Sequence, residues 1–226
     1  MFARSRLNIV PVGELGVGKS TLLNTMADNP EHFAASFGYT SVTTVVSEGH
    51  DIDLFGRPVR IFDAPGLNDA DSTIPEWHQL LLEKCSIIHV VLLVFDIRNL
   101  RITASQILNG SMLQHIVDKF DSKSVIIVFT HYDAWKRDQD PKTLKAQKKE
   151  IVQGFHKNYG QKVGWEKVRG FVFSDRTRET LERELVPLLD LDFPRMETNK
   201  KLNKQAIAEE YHRVMGIKGF EKQVDL

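Results

Sequence analysis

Eight residues, Gly13-Glu14-Leu15-Gly16-Val17-Gly18-Lys19-Ser20, constrain the fold of this chain more than any other stretch. They fit the pattern G-x-x-x-x-G-K-[ST]. An apolar run, RLNIVPVG (6–13), leads into them, and a run of good helix formers, GKSTLLNTMAD (18–28), leads out. Strand, tight loop, helix is the context in which this pattern cradles phosphate. The glycines let the backbone curl so that successive N–H groups point inward. The helix that follows turns its positive end toward the same place. Lys19 can then reach the outer phosphates and the Ser20 hydroxyl can meet magnesium. Residues 13–20, with Thr21 behind them, are the candidate phosphate site. The motif selects a nucleoside triphosphate and leaves the base open.

Beyond this loop, strand and helix signals alternate. TTVVSEGHDIDLFGRPVRIFD (43–63) reads as two antiparallel strands about a Gly-Pro turn at 55–58. A helix at 76–85 precedes the strand 87–96, and a helix over about 104–120 precedes the strand SVIIVFT (124–130). A long polar helix covers roughly 141–159, followed by the strand VRGFVFS (168–174) and the helix RETLERELVPLLD (178–190). This order predicts an α/β phosphate-loop NTPase domain. Its sheet is mostly parallel, with one antiparallel hairpin strand and helices on both faces. Residues 1–194 form that domain. Residues 195–226 are polar, without a strand signal, and read as a C-terminal helical or flexible extension.

Composition narrows the class. Lys+Arg and Asp+Glu both number 30 in 226 residues, so the basic excess of a nucleic-acid binder is missing and no nucleic-acid partner is expected. The single cysteine, Cys85, fits a reducing compartment and a buried packing role. The longest apolar run, IIHVVLLVF (87–95), is too short to cross a bilayer and reads as a buried parallel strand. A cytoplasmic protein is expected, or one on the cytosolic face of a membrane through segments outside this chain.

The other candidate site residues follow from the loop. Asp63 ends the strand VRIFD and fits the acid that holds magnesium in phosphate-loop enzymes. Gly66, in DAPGLND (63–69), could offer its N–H to the terminal phosphate. A third contact is expected from GYTSVTTVV (38–46), where Thr40, Ser41, Thr43 and Thr44 offer hydroxyls. Thr43 is the favoured magnesium-touching switch residue. In FTHYD (129–133), Asp133 can accept two hydrogen bonds from guanine's N1–H and exocyclic amine, a donor pair that adenine lacks. His131 could lie over the base, Thr130 could support the loop, and Ser174 could line the far side. Many GTPases place a water-orienting glutamine directly after the switch glycine. Here that residue is Leu67, which can neither orient nor deprotonate water.

With GELGVGKST, SVTT, DAPGLND, RIT and FTHYD in this order, residues 6–190 resemble the immunity-associated (GIMAP/IAN, avirulence-induced type) GTPases. These are relatives of septins and chloroplast import receptors. S-V-T at 41–43 resembles the family's switch pattern, and D-A-P-G-L resembles D-T-P-G-L, which makes Leu67 ordinary in such company. R-I-T at 101–103 resembles the family's R-[FY]-T and places Arg101 at its box arginine. Leu23-Asn24 stands where the family often has Gly-Asn, and Val45-Val46 where it has a cysteine. The resemblance implies GTP or GDP with Mg2+, a GTP-dependent homodimer through the nucleotide face, and membrane attachment through other segments. Two functions remain open at this level. One is a GTPase that is slow alone and faster as a dimer, with Arg101 lent in trans. The other is an assembly scaffold that binds GTP with negligible hydrolysis.

Overall fold

Nearly every residue of the central strands is buried, and alternate residues serve opposite faces. That pattern requires a sheet covered on both sides. The structure is a computed structural model that describes residues 5–33, 47–66 and 74–215. Thr40, Ser41, Thr43, Thr44 and Leu67 lie outside the described residues.

In chain order the elements are β1 (Leu7–Val12), α1 (Lys19–Ala27), β2 (His50–Leu54), β3 (Arg57–Ile61), α2 (Ile74–Lys84), β4 (Ile87–Ile88), β5 (Val90–Asp96) and α3 (Ala104–Ile116). There follow β6 (Val117–Asp118), β7 (Val125–Thr130), α4 (Tyr132–Arg137), α5 (Leu144–Phe155), α6 (Gln161–Val163), β8 (Gly170–Phe173), α7 (Arg178–Glu184), α8 (Val186–Leu189), β9 (Met196–Thr198) and α9 (Lys204–Met215). The central sheet runs β2-β3-β1-β5-β7-β8. Only β2 is antiparallel to its neighbour; the other pairings are parallel. Val91, Leu93 and Phe95 of β5 enter one core with Trp77, Met112 and Phe155. Val90, Leu92 and Val94 enter the other with Leu23, Leu181 and Leu189. Each such side chain contributes roughly 1.5–3 kcal/mol by burial. The fold class expected from the sequence is the fold observed.

From β1 the chain goes first to β3 on one side and then to β5 on the other. The carboxyl ends of β1 and its neighbours therefore form a switch point, where open α/β sheets bind ligands. The loop 13–20 leaves β1 there.

Several segments depart from the sequence expectation. The strand expected over 87–96 breaks at His89. Asn8 explains the break: its backbone N–H donates to His89 Nδ1 at 3.0 Å and its carbonyl accepts from His89 N at 3.0 Å. The imidazole replaces a main-chain acceptor, and β4 turns out of the central sheet. There it pairs with β9 (Ile87↔Glu197), which also pairs with β6 (Val117↔Thr198). Residues 195–226 therefore contain a strand as well as a helix, which corrects the expectation of a helical or flexible extension without one. Three residues are too few to show a period-2 pattern; the edges of β4 and β6 specify β9. After it, α9 lies against α3, with Ile207 buried and Arg213 Nη2 donating to Lys162 O at 3.2 Å. The long helix expected over 141–159 stops as an α-helix at Phe155 and continues as a π-helical turn, His156–Gly160. The last core helix divides at Leu185, because Pro187 brings no backbone N–H to a continuous ladder.

Burial holds the half-buried His89 imidazole below its ordinary value, and the nearby Arg195, Arg57 and Arg6 push the same way. Only the neutral ring can accept from Asn8. The unfolded chain therefore takes up a proton near pH 6.5 that the folded chain resists. Stability is expected to be full above that pH and to decline as pH falls below it. Replacing His89 with leucine should flatten part of this slope and cost about 1–3 kcal/mol, because the Asn8 N–H loses its acceptor. Urea unfolding of both proteins between pH 5.5 and 7.5 checks this; an unchanged slope would refute it.

Candidate functional site

The loop 13–20 is built by contacts that admit few substitutions. A Cβ at Gly13 would lie 2.6 Å from the Val94 carbonyl of β5, so only glycine lets the loop leave β1 this close to its neighbour. Gly18, at φ +90, forms the left-handed entry to α1, which has no side-chain cap. Gly16 also has positive φ, at +76. Leu15 projects into solvent, whereas Val17 is buried and Thr21 lies on the first turn of α1. Lys19 is 7% exposed, and its ammonium donates to Gly13 O at 3.0 Å and Glu14 O at 2.9 Å.

One residue further on, Ser20 Oγ donates to Asp63 Oδ2 at 2.8 Å. Asp63 is only 2% exposed. Its backbone N–H donates to Ser47 Oγ at 2.7 Å, and its Oδ1 accepts from Ala64 N at 3.1 Å. The sequence-predicted pair of hydroxyl and carboxylate is thus in direct contact. Trp77 Nε1 donates to Pro65 O at 3.0 Å and pins the backbone just before Gly66.

On the other side, the end of β7 is tied to the loop itself. Thr130 Oγ1 donates to Val17 O at 2.6 Å and lies 3.1 Å from Phe95 O. His131 caps α4 in the left-handed region, at φ +57, with its ring beside Gly18. Burial holds its imidazole below the ordinary value, against the pull of Asp96 at 3.4 Å. At neutral pH the ring is therefore uncharged. Burial alone would push the Asp96 carboxyl up; side-chain and backbone hydrogen bonds from Arg98, together with His131, more than offset that and hold it below the ordinary value.

Asp133 sits in the first turn of α4, with Oδ1 buried and lacking a hydrogen-bond partner among the described residues. The nearest cation is Arg176, whose Nε is 3.9 Å away. Ser174 is 2% exposed; its carbonyl accepts from Tyr132 N at 3.2 Å, which sets the β8 exit beside α4. The structure therefore gathers the described candidates along one edge of the sheet. It separates the two arginines of DIRNLRIT (96–103). Arg98 is held by Asp96 through three side-chain contacts, whereas Arg101 is exposed and makes no hydrogen bond or ion pair to a described residue.

Three features of the site went unseen in the sequence. Arg176 stands next to Asp133, although its own stretch, SDRT, carries no motif. The Asp96 carboxylate lies 3.4 Å from His131 Nδ1. Glu14, an unspecified position of the phosphate-loop pattern, accepts from Thr103 Oγ1 at 2.8 Å and from Gln106 Nε2 at 3.2 Å. Thr103 and Gln106 form the capping box of α3, and the T-x-x-Q spacing was the one available signal.

Among the described residues, no helix is long and apolar enough to cross a membrane. Over 81 residues, 36% of its length, the chain is 32% identical to the tRNA modification GTPase MnmE of Janthinobacterium sp. (strain Marseille) and spans 17% of that protein. Its fold is similar to that of Toc33 from Arabidopsis thaliana, in a dimerization-deficient mutant, with TM-score 0.56 and 16% identity over 76% of this chain and 71% of that one. It also resembles an Aquifex aeolicus Era variant bound to GDP·AlF4−, with TM-score 0.54 and 19% identity over 88% of this chain and 63% of that one. The architecture is that of the phosphate-loop GTPases. A sequence profile described as the AIG1 family matches residues 7–184, from β1 through α7 and across the whole central sheet, and the chain belongs to that family.

Proposed function

We propose that this AIG1-family GTPase binds GTP with magnesium and hydrolyses it to GDP, slowly as a monomer and faster when two copies meet nucleotide face to nucleotide face. One observation carries the reading: the phosphate loop, the Ser20–Asp63 pair and Asp133 Oδ1, which accepts no hydrogen bond from a described residue, lie along a single sheet edge. The relatives support it. A curated relative is named a GTPase, Toc33 has been crystallised with Mg2+ and GMPPNP, and dimerization is described as important for the GTPase activity of the chloroplast translocon components atToc33 and psToc159.

The residues take these roles. Backbone N–H groups of Gly13, Glu14, Leu15, Gly16, Val17 and Gly18 face the phosphates, with Thr21 behind them. Lys19 exchanges its two carbonyl partners for phosphate oxygens. Ser20, Asp63 and Thr43 would hold magnesium. The described residues offer no cluster of three or more His, Cys, Asp or Glu. A hydroxyl and one carboxylate suit a hard cation that keeps water and phosphate as its other ligands. Magnesium, when bound, neutralises charge on the phosphates. Gly66 turns its N–H to the terminal phosphate.

Asp133 receives guanine's two donors, and the missing partner at Oδ1 is the one this base would supply. Thr130 fixes the loop beneath, the uncharged His131 ring covers the base, and Ser174 lines its far side. Arg101, exposed on the carboxyl edge, is lent to the other copy, where a planar cation stabilises charge on the transferring phosphoryl group. The protein acts in the cytoplasm and uses no nucleic acid.

Asp133→Asn is expected to weaken GTP binding by about 1.5–3 kcal/mol, the scale of hydrogen bonds to a charged group. It should also shift preference toward xanthine nucleotide, whose extra carbonyl suits an amide donor. Competition binding with GTP, XTP and ATP measures this, and equal affinity for ATP and GTP in the unaltered protein would rule the assignment out. Ser20→Asn should favour GDP over GTP in the presence of magnesium; calorimetry showing the original preference would mean the metal site lies elsewhere. Arg101→Ala should keep GTP affinity and lose the rise in specific hydrolysis rate with protein concentration, a gain on the order of 10³–10⁵ at most. Single-turnover hydrolysis across a concentration series tests it. A flat, near-zero rate in the unaltered protein would favour the assembly scaffold that Leu67 suggests.

A further inference from the structure

We infer that Glu14 is a positioning residue that couples the phosphate loop to the segment carrying Arg101. The inference rests on the proposal that Arg101 acts in trans. The Glu14 carboxylate reaches out of the loop to the first turn of α3, where it accepts from Thr103 Oγ1 and Gln106 Nε2. Thr103 and Gln106 also cap α3 reciprocally: Gln106 N donates to Thr103 Oγ1 and Thr103 N donates to Gln106 Oε1, both at 3.0 Å. The carboxylate adds a negative charge at the positive end of a 13-residue helix. The result is a strut from the phosphate loop to the residue two places after Arg101.

The segment that the strut restrains is otherwise loosely held. At its start, Asn99 N donates to Asp96 O at 3.0 Å and Arg98 is fixed to Asp96. No hydrogen bond joins residues 100–102 to a described residue, and Leu100 and Arg101 are exposed. Behind them lies a cavity of about 380 Å³ bordered by Leu100, Ile102, Gln106, Trp135 and Phe155. The segment can shift into that space without displacing the packed core. Its position is set at one end by Asp96 and at the other by Glu14.

The loop end of the strut feels the nucleotide. Lys19 Nζ donates to the carbonyls of Gly13 and of Glu14 itself. A phosphate competes for that ammonium, so the peptide at Glu14 must readjust when the outer phosphates arrive. The Glu14 side chain carries that readjustment to Thr103 and hence to Arg101. Phosphate occupancy in one copy thereby governs where its arginine is presented to the other.

Thr103→Asp isolates the strut. Aspartate is a good N-cap and preserves the start of α3, but it cannot donate to Glu14 and repels it. Thr103→Ser keeps both roles. The first readout is hydrogen exchange of residues 97–106 with and without GMPPNP and magnesium. The second is single-turnover GTP hydrolysis across protein concentration. The unaltered chain and Thr103→Ser should show a GMPPNP-dependent change in exchange and a rate that rises with concentration. Thr103→Asp should bind GMPPNP as tightly, show no such change in exchange, and lose about 5–150-fold of the concentration-dependent gain, the range of ordinary coupling free energies. Gln106→Met, which removes the second donor, should lose a smaller part of both; it replaces Thr103→Asp if that variant melts early. A response kept by the strut variant in either readout overturns the inference. If the unaltered chain shows no concentration dependence, the dimer proposal has failed, and the exchange response alone decides whether the strut couples loop to helix.

Discussion

The described site depends on how closely the phosphate loop approaches the ends of its neighbouring strands. At Gly13 the loop leaves β1 against the Val94 carbonyl, with no room for a side chain. At Val17 its carbonyl is held by the Thr130 hydroxyl from β7. These two contacts clamp the loop between β5 and β7, and the rest is referred to that clamp. Lys19 folds back on the loop's carbonyls, Ser20 meets Asp63, and His131 lies beside Gly18. Gly13, Val17 and Lys19 of the loop are buried, whereas Leu15 and Gly16 are exposed.

The residue identities around this clamp show which parts of the molecule the sequence disclosed. The eight-residue loop, the alternating strand and helix signals and the apolar runs of β5 and β7 were legible because each depends on local periodicity or on a conformation that only glycine adopts. That Asp63 ends a strand beside the phosphate loop was expected from the loop motif and the run VRIFD; its direct hydrogen bond with Ser20 was not. The break at His89 was hidden, because a histidine inside an apolar run looks like a tolerated core residue. Only the Asn8 N–H, far away in sequence, reveals it as an acceptor. The π-helical turn that buries Tyr159 against Gln106 O was equally invisible, since its cause is a tertiary hydrogen bond. Arg176 and Glu14 were unreadable for the same reason. Nothing near them in sequence names Asp133 or Thr103 as a partner.

Charge is distributed with some economy at this edge. Asp96 pairs with Arg98 and lies 3.4 Å from the uncharged His131 ring. The Arg98–Asp96 ion pair is partly exposed and adds little stability. Its effect is directional: the Arg98 guanidinium is tied to Asp96, though its side chain stays 52% exposed, while Arg101, three residues later, makes no ion pair to a described residue. One carboxylate at the end of a strand thus ties down one of two nearby guanidinium groups, while the other makes no ion pair to a described residue.

The small sheet β4-β9-β6 carries a consequence for how the chain is assembled. Its outer strands, β4 and β6, occur early, and each presents unpaired main-chain groups toward the position of β9. β9 arrives only after β7 and β8 have been added to the central sheet. Until then β4 and β6 each have an open edge facing the position that β9 will fill, the kind of surface to which another strand can add itself. β9 is a clasp that closes both at once, and Thr198 Oγ1, donating to Cys85 O, locks it in place. The last strand among the described residues thus covers the facing edges of two strands made before it.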